Sequence, residues 1–235
     1  MKRIVSIETN QKVQSQLSSP RAAAVAGILF SLLMFTVMIM TNGFTQVNPK
    51  NMVTEWTETW SGTASQVITM VSFAGIAFLW FTGVVRDRLG DQEDQFFSTI
   101  FLSSGIIMVL LFFFWGAILG AILSTEALLT IKVASHLYIF AFTLMNEIFG
   151  NYALRVASIY MISICTLWTK TGLMPRWLTV LTYILAFGFL FTANMIREAR
   201  YIFPAWVLLV SVYILYLNYL GKQQPLSSQD VTETN

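Results

Sequence analysis

The chain has 235 residues, 56% of them hydrophobic and only 11% charged, with a formal net charge of +2. Ordinary soluble domains carry roughly a quarter charged residues, so too few polar groups remain to clothe a water-soluble globule of this size, and lipid must supply the contact. The small charge says little about partners and no nucleic-acid partner is expected; the single cysteine, Cys165, excludes an intramolecular disulfide.

Residues 1–20 form a polar segment expected on the cytoplasmic side, with no targeting address. A secretory signal would have an apolar stretch of about 7–15 residues followed by a small-residue cleavage site. Here Ala22 to Met40 runs uncharged for 19 residues and ends in "MIMTNGF", long enough for a retained helix that crosses a hydrocarbon core. Further apolar runs follow, and together they predict an all-α membrane protein: a polytopic transmembrane helix bundle occupying 21–220 as one domain. Seven spans are expected, at 21–41, 64–85, 96–123, 132–149, 153–170, 176–195 and 202–220. Their apolar runs are continuous and do not alternate with a period of two, which selects helices over barrel strands. Gly150 and Asn151 mark a helix stop between the fourth and fifth spans, since both residues tolerate the left-handed conformation that ends helices. If that stop is a kink, the count falls to six. The tail 221–235 is polar and expected to be disordered.

Between the first two spans, "NPKNMVTEWTETWSGT" sets Trp56 and Trp60 on one helical face, with Asn48 and Pro49 suited to open that helix. It reads as an amphipathic segment held in the headgroup layer by its tryptophans, with a ligand-binding lid as the alternative. "VVRDRLGDQEDQFF" reads as a solvated turn whose Asp91, Glu93 and Asp94 favour the start of the next helix. Gly116 and Gly120 in "WGAILGAIL", like Ala23 and Gly27, have the four-residue spacing that lets helices approach closely in lipid. That spacing suits a contact within the chain, or a face for a homo-oligomer or another protein. "LMPRW" and "IFPAW" each combine a proline suited to a first helical turn with a tryptophan suited to the interface.

Seven spans with the N-terminus inside put Lys2, Arg3, Lys12, Arg21, Arg86, Arg88, Arg155, Arg197 and Arg200 on the cytoplasmic side. Lys50, Lys132, Lys170, Arg176 and Lys222 fall outside, a bias that favours a cytoplasmic N-terminus.

Charge inside the apolar runs is concentrated in "MNEIFGNYALRVAS", which holds Glu147 and Arg155. His136, Phe140, Thr143 and Glu147 return to nearly one helical face, with Asn146 beside its inner end and Lys132 one turn outward. Arg155, Ser158 and Thr166 make a similar stripe on the fifth span. A short connection would make those spans antiparallel neighbours, with Glu147 meeting Arg155 near the inner interface. Architecture is the leading reading: a snorkelling arginine paired with a carboxylate that fixes a turn. The functional reading is a polar line for an ion, a proton or a small molecule, using Glu147, Arg155, His136, Thr143 and Asn146.

One histidine and one cysteine cannot furnish an ordinary His/Cys zinc site, and no H-E-x-x-H, G-x-S-x-G or phosphate-binding glycine loop is present. No cofactor is expected. The function classes left open are small-molecule or ion permeation, a membrane scaffold, assembly or sensing partner, and an intramembrane enzyme acting on a hydrophobic substrate.

Two stretches carry a resemblance: "FAGIAFLWFTGVVRDRLGDQEDQFFSTIFLSSG", and "ISICTLWTKTGLMPRWLTVLTYILA" with the later "FPAWVLLVSVYIL". They resemble segments of an uncharacterised family of bacterial polytopic integral membrane proteins of similar length, a domain of unknown function with no established activity. The resemblance implies a multi-pass protein of the bacterial cytoplasmic membrane, and it transfers no functional residue.

Overall fold

The structure is a computed structural model that describes the backbone of residues 2–42, 52–87, 95–128, 135–171, 174–192 and 197–221, and side chains within 21–42, 60–87, 96–125, 137–169, 174–191 and 198–219. Every described element is helical. The helices are α1 (Lys2–Thr41), α2 (Met52–Asp87), α3 (Gln95–Leu128), α4 (Ser135–Glu147), α5 (Leu154–Thr171), α6 (Arg176–Thr192) and α7 (Ile202–Gly221). A six-residue π-helical segment, Ile148–Ala153, joins α4 to α5, and a 3-10 turn, Arg197–Tyr201, leads into α7. Five stretches are long and apolar enough to cross a membrane: Arg21–Thr41, Trp60–Asp87, Phe96–Thr125, Leu137–Thr169 and Glu198–Tyr219. Arg176–Phe191 is a shorter apolar helix. The fold is a helical membrane bundle.

The structure runs the fourth and fifth expected spans together as Leu137–Thr169. Glu147 and Leu154, which flank the π segment, both keep right-handed helical backbone angles, so Gly150 and Asn151 do not stop the helix. The physical reason is the solvent. A helix end inside hydrocarbon would strand several N–H and C=O groups with no water to bond them, whereas a π turn keeps the backbone paired and absorbs the glycine. α4 and α5 are therefore consecutive parts of one helix and not antiparallel neighbours.

Two other expectations shift. Trp56 and Trp60 do not form a separate interfacial helix but lie in the opening turns of α2, which continues unbroken to Asp87. Asn48, Pro49, Asp91, Glu93, Asp94 and Lys132 lie outside the described residues. Of the two expected interfacial tryptophans, Trp177 is exposed, but Trp206 is buried and its indole N–H donates to Thr182 Oγ1 at 2.9 Å.

Association of helices in lipid gains little from the hydrophobic effect and depends on close approach and good packing. Close approach is visible at Gly27, where any Cβ would run into the Ser211 hydroxyl and the Phe81 ring, so α1 sits directly against both α2 and α7. At Gly116 and Gly120 a Cβ would meet Val71 and Ile68 of α2 at 3.7 Å, which places that face in a contact within this chain. Rings fill the centre. Phe78 of α2 lies 4.8 Å from Phe30 of α1, 5.2 Å from Tyr160 of α5 and 5.8 Å from Phe203 of α7, centroid to centroid. Phe101 of α3 adds a fifth helix, 4.6 Å from Tyr160. Such pairs contribute about 0.5–1.5 kcal/mol each beyond the area they bury.

Polar groups in this core are matched locally. Tyr160 and Thr82 share a hydroxyl hydrogen bond of 3.1 Å between α5 and α2. Thr166 and Tyr183 share one of 3.0 Å between α5 and α6. The Pro175 carbonyl accepts from the Leu178 and Thr179 amides, opening α6 at the residue after the proline.

Candidate functional site

The candidate site lies on the helix formed by α4, the π segment and α5. Glu147 ends α4, Asn151 sits within the π segment, and Arg155 is the second residue of α5. Successive four-residue steps keep the three side chains on one face. The Asn151 amide N–H donates to Glu147 Oε2 at 2.8 Å. Arg155 Nη1 reaches back along the helix, donating to the Asn151 carbonyl at 3.0 Å and to the Asn151 side-chain oxygen. Asn151 thus bridges an acid and a base that are eight residues apart. Its amide meets the carboxylate with a donor and the guanidinium with an acceptor.

Position along the helix is the first property. Leu137–Thr169 has 33 residues, about 50 Å at 1.5 Å per residue, against a hydrocarbon core of about 30 Å. Arg155 lies within two residues of its midpoint, residue 153. Arg155 therefore falls within the Leu137–Thr169 stretch, near the middle of its length and away from either helix end. A narrow cavity of about 10 Å³ beside this part of the helix is lined by Ala153, Leu154 and Ala157, by Met34 of α1, and by Arg200, Phe203 and Pro204 at the opening of α7.

Exposure is the second property. Glu147 and Asn151 are half-buried, and Arg155 is exposed, between exposed Tyr152 and Ile159. The polar ladder therefore lies on an outer face of the bundle. On the opposite side of the same helix, Ala157 and Tyr160 are fully buried.

The other sequence-predicted residues join the ladder only in part. Thr143 is exposed and donates to the carbonyl of Ile139 in its own helix at 2.8 Å, which satisfies it without any neighbour. Asn146 is also exposed. His136 has its backbone in α4, but its side chain lies outside the described residues. Ser158 is buried and donates to the Arg155 carbonyl at 2.6 Å. Asn151, the central member, was expected only to stop the helix; its signal was the Glu147, Asn151, Arg155 spacing, which becomes visible once the segment is taken as one helix.

A second cationic group stands at the opening of α7. Arg200 Nη2 donates to Asn42 Oδ1 at 3.3 Å and ties the 3-10 turn to the end of α1, while its Cζ lies 5.3 Å from the Tyr201 ring centroid. Among the described residues, no group of three or more His, Cys, Asp or Glu side chains is placed to hold a metal ion.

Comparison with protein-family models, with curated proteins and with solved structures finds no match to this chain.

Proposed function

We propose that this protein is a membrane-embedded assembly partner, which recognises another membrane protein through the outer face carrying Glu147, Asn151 and Arg155. The observation behind this reading is the exposed guanidinium of Arg155 inside the apolar Leu137–Thr169 stretch. A charge facing lipid at that depth costs several kcal/mol on insertion scales, and a helix from a neighbouring protein removes the exposure. Permeation is less well supported, because the interlocked rings of Phe30, Phe78, Tyr160 and Phe203 occupy the centre of the bundle and the ladder faces away from them. Among the described residues, no cluster of His, Cys, Asp or Glu side chains favours an enzyme reading.

Six crossings follow if Leu137–Thr169 and Arg176–Phe191 each cross once. With the N-terminus inside, the cytoplasmic side then collects Lys2, Arg3, Lys12, Arg21, Arg86, Arg88, Lys170, Arg176 and Lys222. The outer side keeps Lys50, Lys132, Arg197 and Arg200, with Arg155 within the span. Lys170 and Arg176, which opposed the bias under seven spans, now agree with it. On this reading both ends of the described bundle face the cytoplasm.

The test is native mass spectrometry of the protein gently extracted from its host membrane, beside an Asn151→Leu variant. A stoichiometric protein partner bound to the wild type and lost from the variant is the expected outcome. Retention of a small non-lipid molecule instead, lost on Glu147→Gln, would replace the assembly reading with permeation.

A further inference from the structure

The ladder also specifies the chemistry of what covers it. Among the described residues, Arg155 bonds only to Asn151, and both bonds use Nη1. The residue is exposed, and among the described residues its Nε and Nη2 make no hydrogen bond. An unsatisfied N–H in hydrocarbon is costly, and a guanidinium offers a planar fork of donors that fits a carboxylate with two parallel bonds. Among the described residues, Asn151 bonds to both Glu147 and Arg155 and stands between them. Nη1 of Arg155 is held back along its own helix by the Asn151 carbonyl.

We infer that the occupant of this face is a transmembrane helix of a different polypeptide, carrying an Asp or Glu at the depth of Arg155 and apolar residues against Tyr152 and Ile159. This inference rests on the assembly reading and adds the partner's charge. A second copy fits less well. A two-fold axis along the membrane normal would set Glu147 against Glu147 and Arg155 against Arg155. An axis in the membrane plane through Asn151 would pair Glu147 with Arg155 reciprocally, but it requires copies of opposite orientation, which the Lys and Arg distribution opposes. A lipid phosphate is anionic too, yet it sits about 15 Å from mid-span in a core of about 30 Å.

The experiment reconstitutes the full chain, with a donor fluorophore on its C-terminal tail, into phosphatidylcholine and phosphatidylglycerol vesicles. Acceptor-labelled synthetic Leu/Ala transmembrane peptides with a central Glu, Gln or Lys are the probes. Energy transfer is expected to half-saturate at about tenfold lower peptide-to-lipid ratio for the Glu peptide than for the Gln peptide, the scale of a strong interhelical polar contact. The Lys peptide should be weakest. Arg155→Gln should abolish the Glu preference, Arg155→Glu should invert it toward the Lys peptide, and Arg155→Lys, which retains charge without the fork, should keep part of it. Equal binding of the three peptides, or a Glu preference that survives Arg155→Gln, overturns the inference. So does transfer between donor- and acceptor-labelled copies of the protein that matches the Glu peptide and vanishes in Arg155→Gln, since that assigns the face to a second copy. If native extraction yields a stoichiometric partner while the peptides bind equally, assembly stands and the carboxylate falls. A Glu preference with no partner in the host membrane fails the assembly reading instead.

Discussion

Tyr160 and Arg155 lie five residues apart on the same helix, and the bundle treats them in opposite ways. Tyr160 is fully buried among four rings from three other helices, its hydroxyl matched by Thr82. Arg155 is exposed, and its described partner is its own helix neighbour Asn151. In water, an inward aromatic and an outward arginine would need no comment. In lipid the outer face should be as apolar as the inner one, and here it largely is: Leu110, Phe114, Ile184 and Phe191 are all exposed. The contrast locates architecture on the Tyr160 side and makes the Arg155 side the one that needs a reason.

The sharpest way to break this contrast is to empty the inner side. Tyr160→Ala removes a fully buried ring and its bond to Thr82, and a loss of about 3–5 kcal/mol is expected for truncation of a large buried aromatic. Unfolding by SDS titration in mixed micelles would read it. A loss under about 1 kcal/mol would mean that the rings of α1, α2, α3 and α7 do not depend on α5 for their packing.

Next in size is the ladder itself. Asn151→Leu replaces the bridging amide with an apolar group and leaves Glu147 and Arg155 without a common partner. Measured interhelical hydrogen bonds in membranes average about 0.6 and reach about 1.7 kcal/mol, so a stability loss of about 1 kcal/mol is expected. The companion measurement is a double-mutant cycle on Glu147→Gln and Arg155→Gln. A coupling of about 0.5 kcal/mol or more is expected in the wild type and should vanish in the Asn151→Leu background. Coupling that persists without Asn151 would mean that acid and base interact directly and that the amide is incidental.

Composition and hydropathy made the class legible, since long uncharged runs in a lipid solvent leave little choice but helices. The bounds of the first three spans and the last were legible for the same reason. The fourth and fifth were not, because Gly150 and Asn151 end helices where water can bond the freed carbonyls, and in hydrocarbon it cannot. The site moves with the helix. A stop at Asn151 would leave Glu147 and Arg155 on separate elements, whereas one continuous helix puts them on one face within a single apolar stretch, with Asn151 as their bridge. Trp206 failed differently. The interfacial preference of indole is a tendency of a side chain with one polar atom, and Thr182 satisfies that atom inside the bundle.

The smallest expected effect tests where the ladder ends. Thr143 shares a face with Glu147, four residues away, and belongs to the polar line that periodicity predicts. Yet its hydroxyl is already bonded to the Ile139 carbonyl, a pattern that lets threonine sit in a lipid-facing helix without any partner. Thr143→Val keeps the shape and removes the hydroxyl, so stability should stay within about 0.5 kcal/mol of the wild type, and the Glu-peptide preference should be unchanged. If Thr143→Val instead weakened that preference as much as Asn151→Leu, the partner would have to read the helix over about three turns, and the ladder would extend from Arg155 through Thr143 rather than ending at Glu147.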